Sequence, residues 1–320
     1  MNQDRFDADL RGLLAPERVQ RHEPLAELTT FRVGGPADWL VYVRSVAELT
    51  AVVNLARANG VPVGVLGGGS NVLVADAGVR GVVVRPQLTA ISQPDPGVAR
   101  ADAGVTINGL VRWMIGRGLA GLEKWAGTPG TVGGAIYGNA HYGGTNIGDR
   151  VTRVGLVTPA GDAIDVAAAE MGFAYDTSRI QQTREIVVWA EFAVTSGDPA
   201  ALREIARGSL AFRKHTQPLA LASAGCVFQN PDPARDRVPA GIPPSAGALV
   251  DRAGLKGAEA GGARISTRHA NFIVNEGGAT ARDVRALIER ARRSVREKFG
   301  VELRYEVVFL GDWSQEPITQ

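Results

Sequence analysis

One cysteine and four histidines are all that a chain of 320 residues offers as soft or borderline metal ligands. A single thiol excludes an intramolecular disulfide, and the histidines at 22, 141, 215 and 269 are scattered, which argues against a zinc centre. No metal is expected. Aromatic residues make up only 6%, net charge is +2, and no Arg/Lys run is interleaved with aromatics. The electrostatic footprint of a nucleic-acid binder is therefore missing. No apolar run reaches membrane-spanning length. The opening MNQDRFDADLRGLL has no basic stretch leading into an apolar core, so no signal peptide is expected and the chain reads as cytoplasmic. There is no internal repeat and no Gly-Lys-Ser/Thr of a Walker phosphate loop.

What the chain has in quantity is glycine, 40 residues of it, within a 45% hydrophobic and 21% charged composition typical of globular proteins. Residues 125–148, WAGTPGTVGGAIYGNAHYGGTNIG, hold eight glycines in 24 positions and no helical or strand period. Ordering glycine costs conformational entropy, so such a run is justified where the backbone takes positive φ or presses on something. Bare N–H groups are also how a backbone holds phosphate. A flexible linker would not contain Trp125, Val132, Ile136 and Tyr137, which want burial. A second glycine loop, Gly67-Gly68-Gly69-Ser70-Asn71, follows a buried strand. It fails the dinucleotide fingerprint, because Val72-Leu73-Val74 continues as a strand where a helix should open.

Local patterns place these loops in a mixed α and β chain. Residues 39–43 alternate as a strand. Ser45-x-x-Glu48 is a capping box opening a helix with Leu49, Val52, Val53 and Ala56 on one face. Residues 61–66 form a buried strand, and 80–84 another. A helix is expected over 107–118, a hairpin from Val151–Val157 and 163–166, and a strand over 186–194. Thr280-x-x-Asp283 caps a helix over 280–299 with an apolar stripe of Val284, Leu287, Ile288, Ala291, Val295 and Phe299. Its arginines at 282, 285, 290, 292, 293 and 296 read as a solvated face. Gly300 ends that helix, and 301–310 is a closing strand.

Several motifs occur in one order. They are Thr29-Thr30-Phe31-Arg32-Val33-Gly34-Gly35-Pro36-Ala37, then GGGSNVLVAD from Gly67, then GTPGTVGGAIYGNA from Gly127. Ser223-Ala224-Gly225-Cys226-Val227-Phe228-Gln229-Asn230-Pro231 follows, then the Ala246-to-Gly257 and His269-to-Asn275 segments. Residues 28–311 thereby resemble the UDP-N-acetylenolpyruvoylglucosamine reductases, flavin enzymes of peptidoglycan precursor synthesis. The resemblance implies an α+β fold, a vanillyl-alcohol-oxidase-like FAD-binding domain of two subdomains (1–87 and 88–198). A C-terminal α+β substrate-binding domain (199–299) and a strand segment (300–320) returning toward the first subdomain complete it. It implies FAD and NADPH as cofactors, UDP-N-acetylglucosamine enolpyruvate as substrate, and a monomer. FAD would be held by Gly67, Gly68, Gly69, Ser70, Asn71, Gly127, Thr128, Pro129, Gly130, Thr131, Gly133, Gly134, Ala135, Gly138 and Asn139.

The implied reaction places a hydride on the enolpyruvyl group and then needs a proton donor. The family's serine is Cys226 here; a thiol with an ordinary pKa of about 8.5 is mostly protonated at neutral pH. Without the surrounding loop it would read as a small buried hydrophobe. Glu306 matches the family's acidic residue on the closing strand, against the plainer reading of an exposed carboxylate. The family's Tyr-Arg-x-Ser is Tyr175-Asp176-Thr177-Ser178 here, and an acidic group cannot do an arginine's work beside a developing anion. Arg179, three residues on, is expected to compensate as the third catalytic residue, against the plainer reading of a surface arginine with the carboxylate met elsewhere. Gln229 replaces the family's lysine. Asn230 is an expected substrate contact, and so are Tyr175, Lys214 and Lys256, against the plainer reading of these three as surface or packing residues, while His269 reads as structural. The competing readings are an FAD-dependent sugar or lactone oxidase of the same fold and a non-catalytic flavin or UDP-sugar sensor.

Overall fold

The computed structural model describes residues 2–314, so the expected closing segment 300–320 lies outside the described residues beyond Ser314. The chain forms two compact units, each discontinuous in sequence. The first comprises the chain up to Glu23, Asp38–Gly68 and Gly81–Phe212; the second comprises Pro24–Ala37, Gly69–Arg80 and the chain from Arg213 onward. The second unit takes segments from both ends of the chain, and the reason is burial. Phe31, Val33 and Leu73 are fully buried with Val227, Phe228 and Leu249 in the second core. Leu202 and Ala206 join the first. Apolar surface goes where it finds partners, whatever the chain order.

The first unit contains two sheets. One is four-stranded, in the order Val19–Pro24, Pro36–Val43, Val79–Pro86, Val63–Val65, and the last two strands run parallel. The helix Val46–Ala58 buries Leu49, Val52, Val53 and Ala56, as its period requires. Ser45 caps it by accepting from the Glu48 amide at 3.1 Å. The reciprocal half of the box is displaced: the Glu48 carboxylate accepts from the Arg44 amide at 2.7 Å and pairs with Arg18. The second sheet is antiparallel, in the order Ala163–Ala167, Val151–Val157, Ile186–Ala193, Val98–Asp102, Ile91–Asp95. The expected helix at 107–118 is Ile107–Gly116.

The second unit builds its core from the antiparallel strands Glu259–Ala260, Ala263–Ile265 and Ile273–Asn275 with the helices Ala246–Arg252 and Ala281–Phe299. Thr280 and Asp283 form a complete capping box, and Gly300 ends the long helix at φ 68°. The arginines of that helix are not simply a solvated face. Arg285 lies over Phe309 and Trp313, while Arg292 bonds the Leu303 carbonyl, Tyr305 Oη, Glu289 and Glu302. The expected closing strand is regular only over Val308–Leu310, which pairs in parallel with Val72–Val74. Its upstream half pairs with a loop, which offers no continuous ladder. Among the described residues no helix is long and apolar enough to cross a membrane.

Candidate active site

In the first unit the two glycine loops press on one another. A Cβ on Gly67 would stand 2.7 Å from Thr131 Oγ1, and one on Gly68 would stand 2.7 Å from Gly130 Cα. Real Cβ atoms do not approach that closely, so only glycine permits the contact. Gly127 and Gly130 take φ of 83° and 98°. Asn108 clamps this turn, accepting from the Gly127 amide at 2.6 Å and donating to the Thr128 carbonyl at 3.2 Å. Among the described residues, the amides of Gly67, Gly68, Gly130 and Thr131 donate to no protein acceptor. Four unspent N–H groups, on two touching loops stripped of side chains, fit the negatively charged diphosphate of a dinucleotide.

Other residues of the expected cofactor set spend their amides within the protein. The Gly133 amide donates to the Ala103 carbonyl at 2.9 Å, and Gly134 to Thr131 Oγ1 at 3.5 Å. Ala135, Gly138 and Asn139 donate within the short helix Val132–Tyr137 and its C-terminus. Thr128 donates to the Trp125 carbonyl at 2.9 Å. Pro129 has no amide hydrogen. These amides are spent on the fold, so they shape the loop and are not phosphate donors. Asn139 is 1% exposed, and its side chain bridges the Gly148 amide and the Ala174 carbonyl at 2.9 and 2.7 Å. Gly69, Ser70 and Asn71 belong to the second unit, where Gly69 is pressed on the Leu28 backbone.

The Asn139 bridge fixes the loop that carries Tyr175, Asp176 and Arg179. The Arg179 guanidinium does not stand free for an anion. Its Nε and Nη2 donate to both oxygens of Glu185 at 2.9 and 2.6 Å. Burial opposes ionisation of Glu185, but the hydrogen bonds from Arg179 and Thr183 outweigh it and hold the carboxyl below its usual range. Arg179, the expected third catalytic residue, is thus placed as a brace on Glu185. Asp176 takes φ 52°, and its Oδ1 lies 2.9 Å from His141 Nδ1.

In the second unit the fold brings the Cys226 and Glu306 segments together. The amides of Glu306 and Val307 both donate to the Val227 carbonyl, at 2.8 and 3.2 Å. Gln229 N donates to the Arg304 carbonyl at 2.9 Å, which completes the bridge between Phe228 and Tyr305. Gly225, at φ 75°, turns the chain into the half-buried Cys226. Asn71 donates through Nδ2 to the Glu306 carbonyl at 2.9 Å, so its side chain serves this strand. Tyr305 Oη donates to Glu289 at 2.5 Å; burial first, and that bond second, push its pKa up to about 12.

Asn271 is the residue sequence reading missed. It is 3% exposed, its side chain accepts from Phe228 N at 2.9 Å and donates to Phe228 O at 2.7 Å, and its carbonyl takes the Val227 amide. A buried Asn between Ala270 and Phe272 was the available signal, since burial of an amide demands paired partners. Of the expected substrate contacts, Asn230 accepts from the Ala246 amide at 3.1 Å, Lys256 pairs with Asp251 at 2.8 Å, and Lys214 is exposed. Burial, aided by the Lys256 charge, pushes the His269 imidazole down and keeps it a neutral packing group.

Two glycine-rich loops with unspent amides, on an α+β scaffold, fit the class of dinucleotide-binding proteins, and residues 37–167 match the FAD binding domain model, which makes it an FAD-binding fold. Residues 217–310 match the C-terminal domain of UDP-N-acetylenolpyruvoylglucosamine reductase. The chain is 39% identical over 295 residues to the reductase of that name from Carboxydothermus hydrogenoformans, covering 92% of this chain and 94% of the relative. It is 41% identical to UDP-N-acetylenolpyruvoylglucosamine reductase 2 from Symbiobacterium thermophilum, covering 94% and 96%. The crystal structure of the Thermus caldophilus enzyme matches with a TM-score of 0.76 at 33% identity, over 92% of this chain and 99% of that one. The chain belongs to the UDP-N-acetylenolpyruvoylglucosamine reductase family.

Proposed function

We propose that the chain reduces UDP-N-acetylglucosamine enolpyruvate to UDP-N-acetylmuramate, a peptidoglycan precursor, at the expense of NADPH. The observation that carries this reading is the pairing of the Cys226 loop with the Glu306 strand through the Val227 carbonyl. The FAD diphosphate would rest on the amides of Gly67, Gly68, Gly130 and Thr131. When bound, FAD supplies a hydride that originates from NADPH. A hydride arriving at the terminal methylene makes it a methyl group and leaves carbanion character at the neighbouring carbon, spread into the carboxylate. Cys226 gives its Sγ proton to that carbon, and solvent returns a proton to the thiolate. Glu306 steers the protonation from the adjacent strand, and Asn271 keeps the Cys226 loop in register.

Tyr175, Asn230, Lys214 and Lys256 remain substrate contacts in this reading. In this reading the two sheets of the first unit would serve as the two flavin subdomains, and the second unit as the substrate domain. Monomeric action in the cytoplasm is part of the proposal and is carried by the family resemblance alone.

The test is anaerobic. The flavin of the purified protein is bleached with one equivalent of NADPH, and the enolpyruvyl sugar is then added. Return of the oxidised spectrum without oxygen, with UDP-N-acetylmuramate formed, is the expected result. Return only after air is admitted would support the oxidase. Cys226→Ala is expected to slow this second phase by about a hundredfold or more while leaving the bleaching phase within about twofold, the scale of a lost general acid.

A further inference from the structure

The long helix Ala281–Phe299 grips the segment that carries Glu306 by two side chains one turn apart. Glu289 and Arg292, spaced i, i+3, share a face of that helix. Tyr305 Oη sits between them: it donates to Glu289 Oε1 at 2.5 Å and accepts from Arg292 Nη1. Arg292 Nη1 also donates to Glu289 Oε2 at 3.3 Å, its Nε to the Leu303 carbonyl at 3.1 Å, and its Nη2 to Glu302. The guanidinium carbon stands 4.5 Å from the centre of the Tyr305 ring. The Glu289 side chain is only 14% exposed, so its charge is compensated in place by a cation and by a phenol that keeps its proton.

Residues 301–307 form no regular strand, and the bridge between Phe228 and Tyr305 is an isolated one. A segment without a ladder is placed by its few remaining bonds and by its side-chain anchors. Here the two meet at Tyr305. On its backbone side, Gln229 N donates to the Arg304 carbonyl, and the Glu306 and Val307 amides donate to the Val227 carbonyl. On its ring side, Tyr305 stacks on Phe228 with centroids 6.4 Å apart and meets Phe309 edge-on at 5.0 Å. Phe228 is 2% exposed and is itself held through N and O by the Asn271 side chain. The aromatic contact therefore joins two anchored points. One lies two residues after Cys226, the other one residue before Glu306.

We propose that Glu289 and Arg292 are positioning residues for the reductase reaction: acting through Tyr305, they set the approach of the Cys226 loop to Glu306. The inference rests on the reductase reading and deepens it, because it names what holds the proton donor against its acidic partner.

The experiment compares FAD-loaded wild type with Glu289→Ala, Glu289→Gln, Arg292→Ala and Tyr305→Phe. Cys226 is the only cysteine of the chain, so alkylation by iodoacetamide without substrate reports the placement of its loop. Glu289→Ala is expected to lower kcat for UDP-N-acetylmuramate formation by about tenfold, the scale of a small misplacement of reacting groups, with KM for the enolpyruvyl sugar within about twofold. Its Cys226 thiol should alkylate about threefold faster or more, since reactivity follows access. Flavin bleaching by NADPH should stay within about twofold of wild type. Arg292→Ala and Tyr305→Phe shift kcat and alkylation in the same direction. Glu289→Gln, which keeps an acceptor for the Tyr305 hydroxyl, returns both toward wild type. Should Glu289→Ala fail to fold, Tyr305→Phe, which removes one oxygen, carries the comparison. Variants that melt lower yet keep the wild-type kcat and alkylation rate overturn the inference while leaving the reductase reading intact, for the network then serves stability alone. A wild type that never reduces the enolpyruvyl sugar overturns the reductase reading and this inference with it.

Discussion

Arg179 shows how far a residue's type is from its role. From sequence it stands three positions beyond the place where the resemblance expects an arginine, which made it the natural replacement. Folding places Glu185 against it instead, and Glu185 is 7% exposed. Because the folded Glu185 carboxyl sits below its ordinary value, the pair contributes fully above the unfolded pKa of about 4.3 and fades as pH falls through the lower folded value. Arg179→Ala is therefore expected to cost about 2 kcal/mol near neutral pH. In thermal melts taken across pH, the difference from wild type should narrow below about pH 4. A constant difference down to pH 3 would sink the assignment. Cys226, by contrast, was legible as a candidate from its neighbours Gly225, Val227 and Phe228, a linear motif. His141 and Asp176, 35 positions apart, were not legible as a pair, because nothing in a sequence announces that two loops will meet.

At the scale of elements, the parts with a strong local period came through. The helices Val46–Ala58 and Ala281–Phe299 carry their own caps and apolar stripes, so local sequence suffices to start, stop and orient them. The closing strand did not come through whole. Its regular part needs Val72–Val74 as a partner, and the segment before it bonds the 226–229 loop. Strand pairing is non-local, and one strand's alternation cannot name its partner. The glycine loops were recognisable as loops, but which amides stay unspent depends on Ala103 and on the helix Val132–Tyr137. Gly68→Ala tests that contact. With Gly130 backbone 2.7 Å from the new Cβ, neither side is a flexible tip that can give. The variant is expected to lose flavin absorbance on purification while retaining far-UV circular dichroism. A variant that stays fully yellow would show that the loops have room to part.

For the molecule as a whole, the chain alternates repeatedly between two units, so neither can be excised as one continuous piece. Flavin binding should be felt unevenly. A ligand at a hundredfold its Kd adds about 2.7 kcal/mol to the state that binds it. Removing FAD is accordingly expected to lower Tm. It should also speed amide hydrogen exchange around Gly67, Gly68, Gly130 and Thr131, leaving the strands Ala263–Ile265 and Ile273–Asn275 unchanged. Uniform acceleration throughout would contradict a cradle confined to the first unit.

Sequence by itself determined the class of the molecule: mixed α and β, two phosphate-type glycine loops, and an ordered set of motifs that places the chain in its family. These are properties of local composition, period and order, each readable within a few dozen residues. Tertiary structure alone decided that Phe31, Val33 and Leu73 belong to the second core. It also decided that Arg179 braces Glu185, that Asn271 holds the Cys226 loop, and that Asp176 meets His141. Each of those outcomes depends on burial against, or hydrogen bonding to, a group distant in the chain. The free energy of such contacts exists only once the backbone has closed the loops between them.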